Sequence, residues 1–139
     1  MENSKFQFKE FLINRSFIEK KEGNPSANVS LNFSPKGIVN KTDSCFQLQL
    51  CVKIEDSDKI INIEIDAVAN FYFDKDLEIQ QLNNYFYINA PALLFPYIRA
   101  YISTLTNLSG YKPINLPTMN LTSLGKELKD NTVNVENCN

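Results

Sequence analysis

Apolar and polar residues alternate through the first half of the chain, with a change of phase near the start. Phe6 and Phe8 fall in one phase, and Phe11, Ile13 and Phe17 in the other. A single strand keeps both sets on one face only if it carries a bulge near Lys9-Glu10. Glu22-Gly23-Asn24-Pro25-Ser26 is a turn signal. Val29, Leu31 and Phe33 then alternate with Ser30, Asn32 and Ser34, which predicts a half-buried strand closed by Pro35-Lys36-Gly37. The next strand puts Phe46, Leu48, Leu50, Val52 and Ile54 on one face, opposite Cys45, Gln47, Gln49, Cys51, Lys53 and Glu55. After a turn at Glu55-Asp56-Ser57-Asp58, a fourth strand carries Ile61, Ile63, Ile65, Ala67, Ala69, Phe71 and Phe73 in one phase. Four such strands with short polar turns imply an antiparallel sheet with one wet face, so the helices must cover the other.

From Leu77 the period changes to a helical one. Ile79, Leu82 and Phe86 share a stripe that resumes as Leu94, Ile98, Tyr101, Leu105 and Leu108. Asn89-Ala90-Pro91 interrupts it: Pro91 fits the first turn of a restarted helix, and Pro96 withdraws a donor one turn later. Gly110 is the expected stop. A short last helix from about Leu121 aligns Leu121, Leu124 and Leu128, with Asn120 as its expected N-cap. The expected fold is α+β: a four-stranded antiparallel sheet with two helices packed on one face. The domain is expected over 1–130, with 131–139 a polar, disordered tail.

Charge and composition narrow the function. Lys and Arg total 14 against 16 Asp and Glu, so no basic excess exists to gather phosphates, and nucleic acid is not an expected partner. The chain has no histidine, which removes the commonest general base and metal ligand; neither an enzyme, a cofactor nor a metal is expected. Cys45, Cys51 and Cys138 lack metal-site spacing and basic neighbours, which predicts reduced, unactivated thiols. No segment reads as a membrane span or a signal peptide, so a cytoplasmic location is expected. Aromatics make up 12% of the chain, a load that points to an apolar interface or ligand groove.

Pro91, the run Leu94-Phe95-Pro96-Tyr97 with Arg99 after it, Gly110, and Asn115-Leu116 ahead of Asn120 form an ordered set over one helix and its following loop. That set resembles the family of the export chaperone SecB. The resemblance implies an ATP-independent holdase that binds unfolded preproteins, assembled as a homotetramer, a dimer of dimers, with helices between the sheets. The packing pattern agrees, because Leu93, Leu94, Phe95, Tyr97, Ile98, Tyr101 and Ile102 surround the helix almost completely and demand cover on several sides. The resemblance also implies a client groove along the loop and helices, for which the apolar candidates are Leu94, Phe95, Tyr97, Ile114, Leu116, Met119 and Leu124. It implies an acidic docking face for a translocation motor, here Glu10, Glu55, Glu64 and Asp66, diluted by Lys9 and Lys53. Two other readings remain: a chaperone dedicated to one partner such as an antitoxin, and a structural oligomeric adaptor.

Overall fold

The computed structural model describes residues 5–116 and 120–135. Strands β1 (Phe6–Lys20), β2 (Val29–Asn40), β3 (Cys45–Asp56) and β4 (Ile61–Phe73) precede helix α1 (Ile79–Asn84), a π-helical turn (Tyr85–Asn89) and helix α2 (Ala90–Leu108). Helix α3 (Leu124–Asp130) and strand β5 (Thr132–Val135) follow. The sheet order is β1-β4-β3-β2-β5. The first four strands pair antiparallel, but β5 lies parallel to β2 along Gly37–Asn40. The α+β class with helices on one face therefore stands, while the sheet is five-stranded and mixed rather than four-stranded and antiparallel. The added strand arises within the segment expected to be a disordered tail; residues 136–139 lie outside the described residues. Too few apolar side chains mark that segment, because β5 is held by main-chain bonds to an edge that side-chain periodicity cannot reveal.

β3 and β4 follow their alternation throughout. Phe46, Leu48, Leu50, Val52 and Ile54, and every odd residue of β4 from Ile61 to Phe73, are buried under the helices. Aromatic rings fill the layer between: Phe86 stacks on Phe46 at 4.4 Å and meets Phe73 edge-on at 5.2 Å, and Phe6 stacks on Phe71 at 4.8 Å and on Tyr85 at 5.0 Å. These offset and edge contacts suit the ring quadrupoles as well as the burial of apolar area.

β1 departs more from expectation. Its register shifts between Phe8 and Glu10, as the phase change predicts, and again between Ile13 and Arg15. The second bulge returns Ser16 and Ile18 to the inner register opposite Ile65 and Ile63, and turns Phe17 outward opposite Glu64. The alternation expected to end at Pro35 instead runs on to Asn40, and the turn falls at 41–44. Pro35 is tolerated because its missing N–H faces the sheet edge: its carbonyl, on the same side, accepts from Asn131 Nδ2 at 3.2 Å.

The helix does not break at Asn89-Ala90-Pro91. Residues 84, 85, 89 and 90 all keep right-handed helical angles, and the Ala90 N–H reaches back five residues to the Tyr85 carbonyl. Pro91 has no N–H for the Tyr87 carbonyl and its ring needs room there; one wide π turn supplies the room without leaving the helix. α3 begins at Leu124 rather than near Leu121, with Ser123 at its N-cap. Asn120 Oδ1 accepts from the Thr122 N–H at 3.1 Å, making an Asx turn ahead of the helix instead of a cap.

Candidate functional site

Two surfaces carry the residues singled out from sequence: the flank of α2 with its following loop, and the outer face of the sheet.

α2 presses Pro91, Leu94, Phe95, Ile98, Ile102 and Thr106 inward. It ends as Gly110 expects. Gly110 adopts φ 84°, its N–H bonds to the Asn107 carbonyl at 3.1 Å, and the Tyr111 N–H bonds to the Thr106 carbonyl at 3.0 Å, a Schellman closure. The loop then folds back along the helix. The hydroxyl of buried Thr106 accepts the Ile114 N–H at 3.0 Å, and the Ser103 hydroxyl donates to Asn115 Oδ1 at 2.9 Å. These two bonds hold residues 111–116 against the last turns of α2, on the flank that also carries Phe95. Leu116 is buried there and Ile114 half-buried. Phe95 meets Phe33 of β2 edge-on at 5.8 Å.

The opposite flank is different. Tyr97 stacks on Phe8 at 5.3 Å and lies 5.5 Å from Phe11, both on β1, and the Tyr101 hydroxyl is hydrogen-bonded to that of Ser16. The groove candidates therefore do not form one set. Leu94 is fully buried in the core, Phe95 meets β2, Ile114 and Leu116 lie on the loop bonded to Thr106 and Ser103, Tyr97 packs on β1, and Leu124 is half-buried on α3. Met119 lies outside the described residues. Sequence reasoning missed Phe33 as a partner of Phe95, although Pro35 two residues on marks β2 as an edge strand. The outward arc of α2 carries no charge: Ala92, Leu93, Pro96, Tyr97, Ala100, Thr104 and Leu108 are exposed, Tyr97 by 50% and Leu108 by 80%.

On the outer face the four proposed docking acids differ in what faces them. Glu64 accepts from Arg15 at 2.9 Å and lies 3.6 Å from Lys53, and Asp66 lies 3.8 Å from Arg15. The Arg15 hydrogen bond, reinforced by Lys53, holds the Glu64 carboxyl below the usual range, so it stays ionised and compensated. Glu10 accepts from Asn70 at 2.8 Å, and Asn70 in turn from Gln47 at 3.0 Å. Glu55 sits between Ser30 and Asn62, and among the described residues it joins no ion pair. Burial first, then the Asp66 carboxylate, pushes the Cys51 thiol up, which disfavours the thiolate. Among the described residues no three His, Cys, Asp or Glu side chains gather into a metal-ligating group, and no helix is long and apolar enough to cross a membrane.

The family model of preprotein translocase subunit SecB matches residues 8–131. The protein-export protein SecB of Roseobacter denitrificans is 28% identical over 106 residues, which cover 74% of this chain but only 63% of that protein's length. The SecB of Anaplasma phagocytophilum is 26% identical over 128 residues, covering 83% of this chain and 81% of its own. Among solved structures, a SecB-like chaperone of Mycobacterium tuberculosis, in complex with a peptide from the HigA1 antitoxin, superposes with a TM-score of 0.69 at 19% identity, over 83% of this chain and 88% of that one.

Proposed function

We propose a holdase function on the premise that the chain belongs to the SecB family. In this reading the protein binds unfolded preproteins without nucleotide and delays their folding before export. The observation that carries it is the Phe33–Phe95 contact beside a loop stapled by Thr106 and Ser103, which keeps Ile114 and Leu116 along one flank of α2. Apolar walls of this kind bind by area and accept many sequences, and the work is mass action on the unfolded client. Phe95, Ile114, Leu116 and Leu124 are the groove residues in this proposal, with Tyr97 on a separate surface.

The proposal includes assembly as a dimer of dimers, for which the packing of α2 gives support. An uncharged helical arc bearing Leu93, Tyr97 and Leu108 is costly to leave in water, and a second copy of the chain would cover it. The protein then works in the cytoplasm, where clients await translocation. Pairing of Glu64 with Arg15 and Lys53, and of Asp66 with Arg15, brings the centre of the outer face near neutrality, so docking of a cationic motor through Glu10, Glu55, Glu64 and Asp66 has weak support. That neutrality, together with a fold neighbour bound to an antitoxin peptide, favours a chaperone dedicated to one partner as the second reading.

The test is suppression of aggregation of a chemically unfolded exported protein, without nucleotide. Suppression near stoichiometry supports the general holdase. No suppression at a molar excess of oligomer overturns it, and protection of a single partner with indifference to generic clients selects the dedicated reading.

A further inference from the structure

The outer edge of β2 is divided in two. β5 pairs with Gly37–Asn40, and among the described residues no strand pairs with Val29–Lys36 on that side. The join is specific. The Asn131 carbonyl accepts from the Gly37 N–H at 3.4 Å, and its side chain covers the Pro35 carbonyl at 3.2 Å. Main-chain groups of alternate residues in a strand point to the same side. Since those of Gly37 face β5, those of Leu31 and Phe33 face the open edge. Inward of that edge lies the Phe33–Phe95 contact. β5 itself demonstrates that this edge accepts an added strand.

β5 is also built to be exchangeable. It has four residues, pairs parallel, and leaves Val133 and Asn134 exposed, all features of the low-stability end of a fold. Its anchorage is at its start. The Thr132 hydroxyl bonds to the Leu128 carbonyl and to Tyr87, and Gly37 leaves it space, since a Cβ there would lie 2.5 Å from Thr132 Oγ1. Among the described residues, Val133–Val135 are held to β2 by strand pairing alone.

We infer that β5 is a resident strand competing with the client for the β2 edge. An extended client segment adds its main chain along Val29–Phe33, and by displacing Val133–Val135 it runs on across Gly37–Asn40. This rests on the client-binding reading above. A client and β5 cannot both hold the upper half of the edge, so β5 lowers apparent affinity by the fraction of time it stays in place. With β5 seated about nine-tenths of the time, the apparent Kd rises about tenfold.

The experiment compares three forms in which Cys45, Cys51 and, where present, Cys138 are replaced by serine. One is otherwise the full chain, one ends at Thr132, and one carries Ile38→Cys with Val133→Cys, whose positions pair across the two strands. The probe is labelled, reduced and carboxymethylated α-lactalbumin, titrated by fluorescence anisotropy. The full chain should bind about tenfold more weakly than the shortened one, and the oxidised, pinned form more weakly still, with reductant returning it to the affinity of the full chain. Val133→Pro, which removes a main-chain donor on the side facing β2, gives a second released form should the shortened chain fail to fold. Equal Kd in pinned and released forms overturns this inference while leaving the holdase reading intact. No binding by any form overturns both.

Discussion

The two faces of β3 and β4 share one backbone and obey different chemistry. On the inner register of these strands every side chain but one is apolar and buried, and aromatic contacts with the π turn fill the layer. The exception is Asp56, 1% exposed, at the end of β3. On the outer register, amides and charges are half-exposed and linked side by side, Gln49 to Gln47, Gln47 to Asn70, and Glu64 to Arg15. The difference teaches that the fold is held from one side. The outer face is polar without accumulating a strong field.

The sharpest way to break that contrast is on the inner face. Phe86→Ala removes the stack on Phe46 and the edge contact with Phe73, and should cost about 3–5 kcal/mol in denaturant unfolding. A loss below about 1 kcal/mol would mean that the helix layer is not what stabilises the sheet. Next, Gly125→Ala places a Cβ 3.0 Å from the Tyr87 carbonyl, which Pro91 leaves without its usual donor, and should cost about 1–3 kcal/mol by pushing α3 away from the π turn. Unchanged stability would show that this approach can relax freely.

Asp56 tests the exception. Burial pushes its carboxyl up, but hydrogen bonds from the N–H groups of Ile61, Ser26, Ile60 and Asp58 outweigh this and hold it below the ordinary range. A depressed carboxyl contributes stability that is fully present above its unfolded value, near 4, and is lost as pH falls through the lower folded value. Asp56→Asn should lower the thermal midpoint at neutral pH and flatten its decline below about pH 4. An unchanged acid slope would place the acid sensitivity elsewhere. The smallest effect belongs to the outer face: Arg15→Ala should leave the melt at physiological salt almost unchanged, with a difference emerging only at low ionic strength. A large, salt-independent loss would contradict the contrast between the faces.

Legibility followed the same divide. The inner register of β3 and β4 could be read residue by residue, because a strand buried on one face must alternate. The first bulge of β1 was visible in the shift from Phe8 to Phe11. The second was not, since Ser16 takes an inner position and binds Tyr101 there, and adjacent Phe17 and Ile18 put an apolar residue in both phases. After α2, Ile114 and Leu116 were legible as apolar positions of a loop, while the division between Phe95 and Tyr97 was not. Adjacent positions on a helix cannot say which end of a sheet each will face until the crossing of α2 over the strands is known.

The sequence by itself determined the class of the fold, the apolar layer of the central strands, the stop at Gly110 and the family, because each is written in side-chain type at a fixed spacing. The tertiary structure alone decided the π turn that absorbs Pro91, the pairing of Glu64 and Asp66 with Arg15, and the strand that Thr132–Val135 adds to β2. Those features depend on main-chain bonds and on charges brought together from distant positions, and neither leaves a period in the sequence.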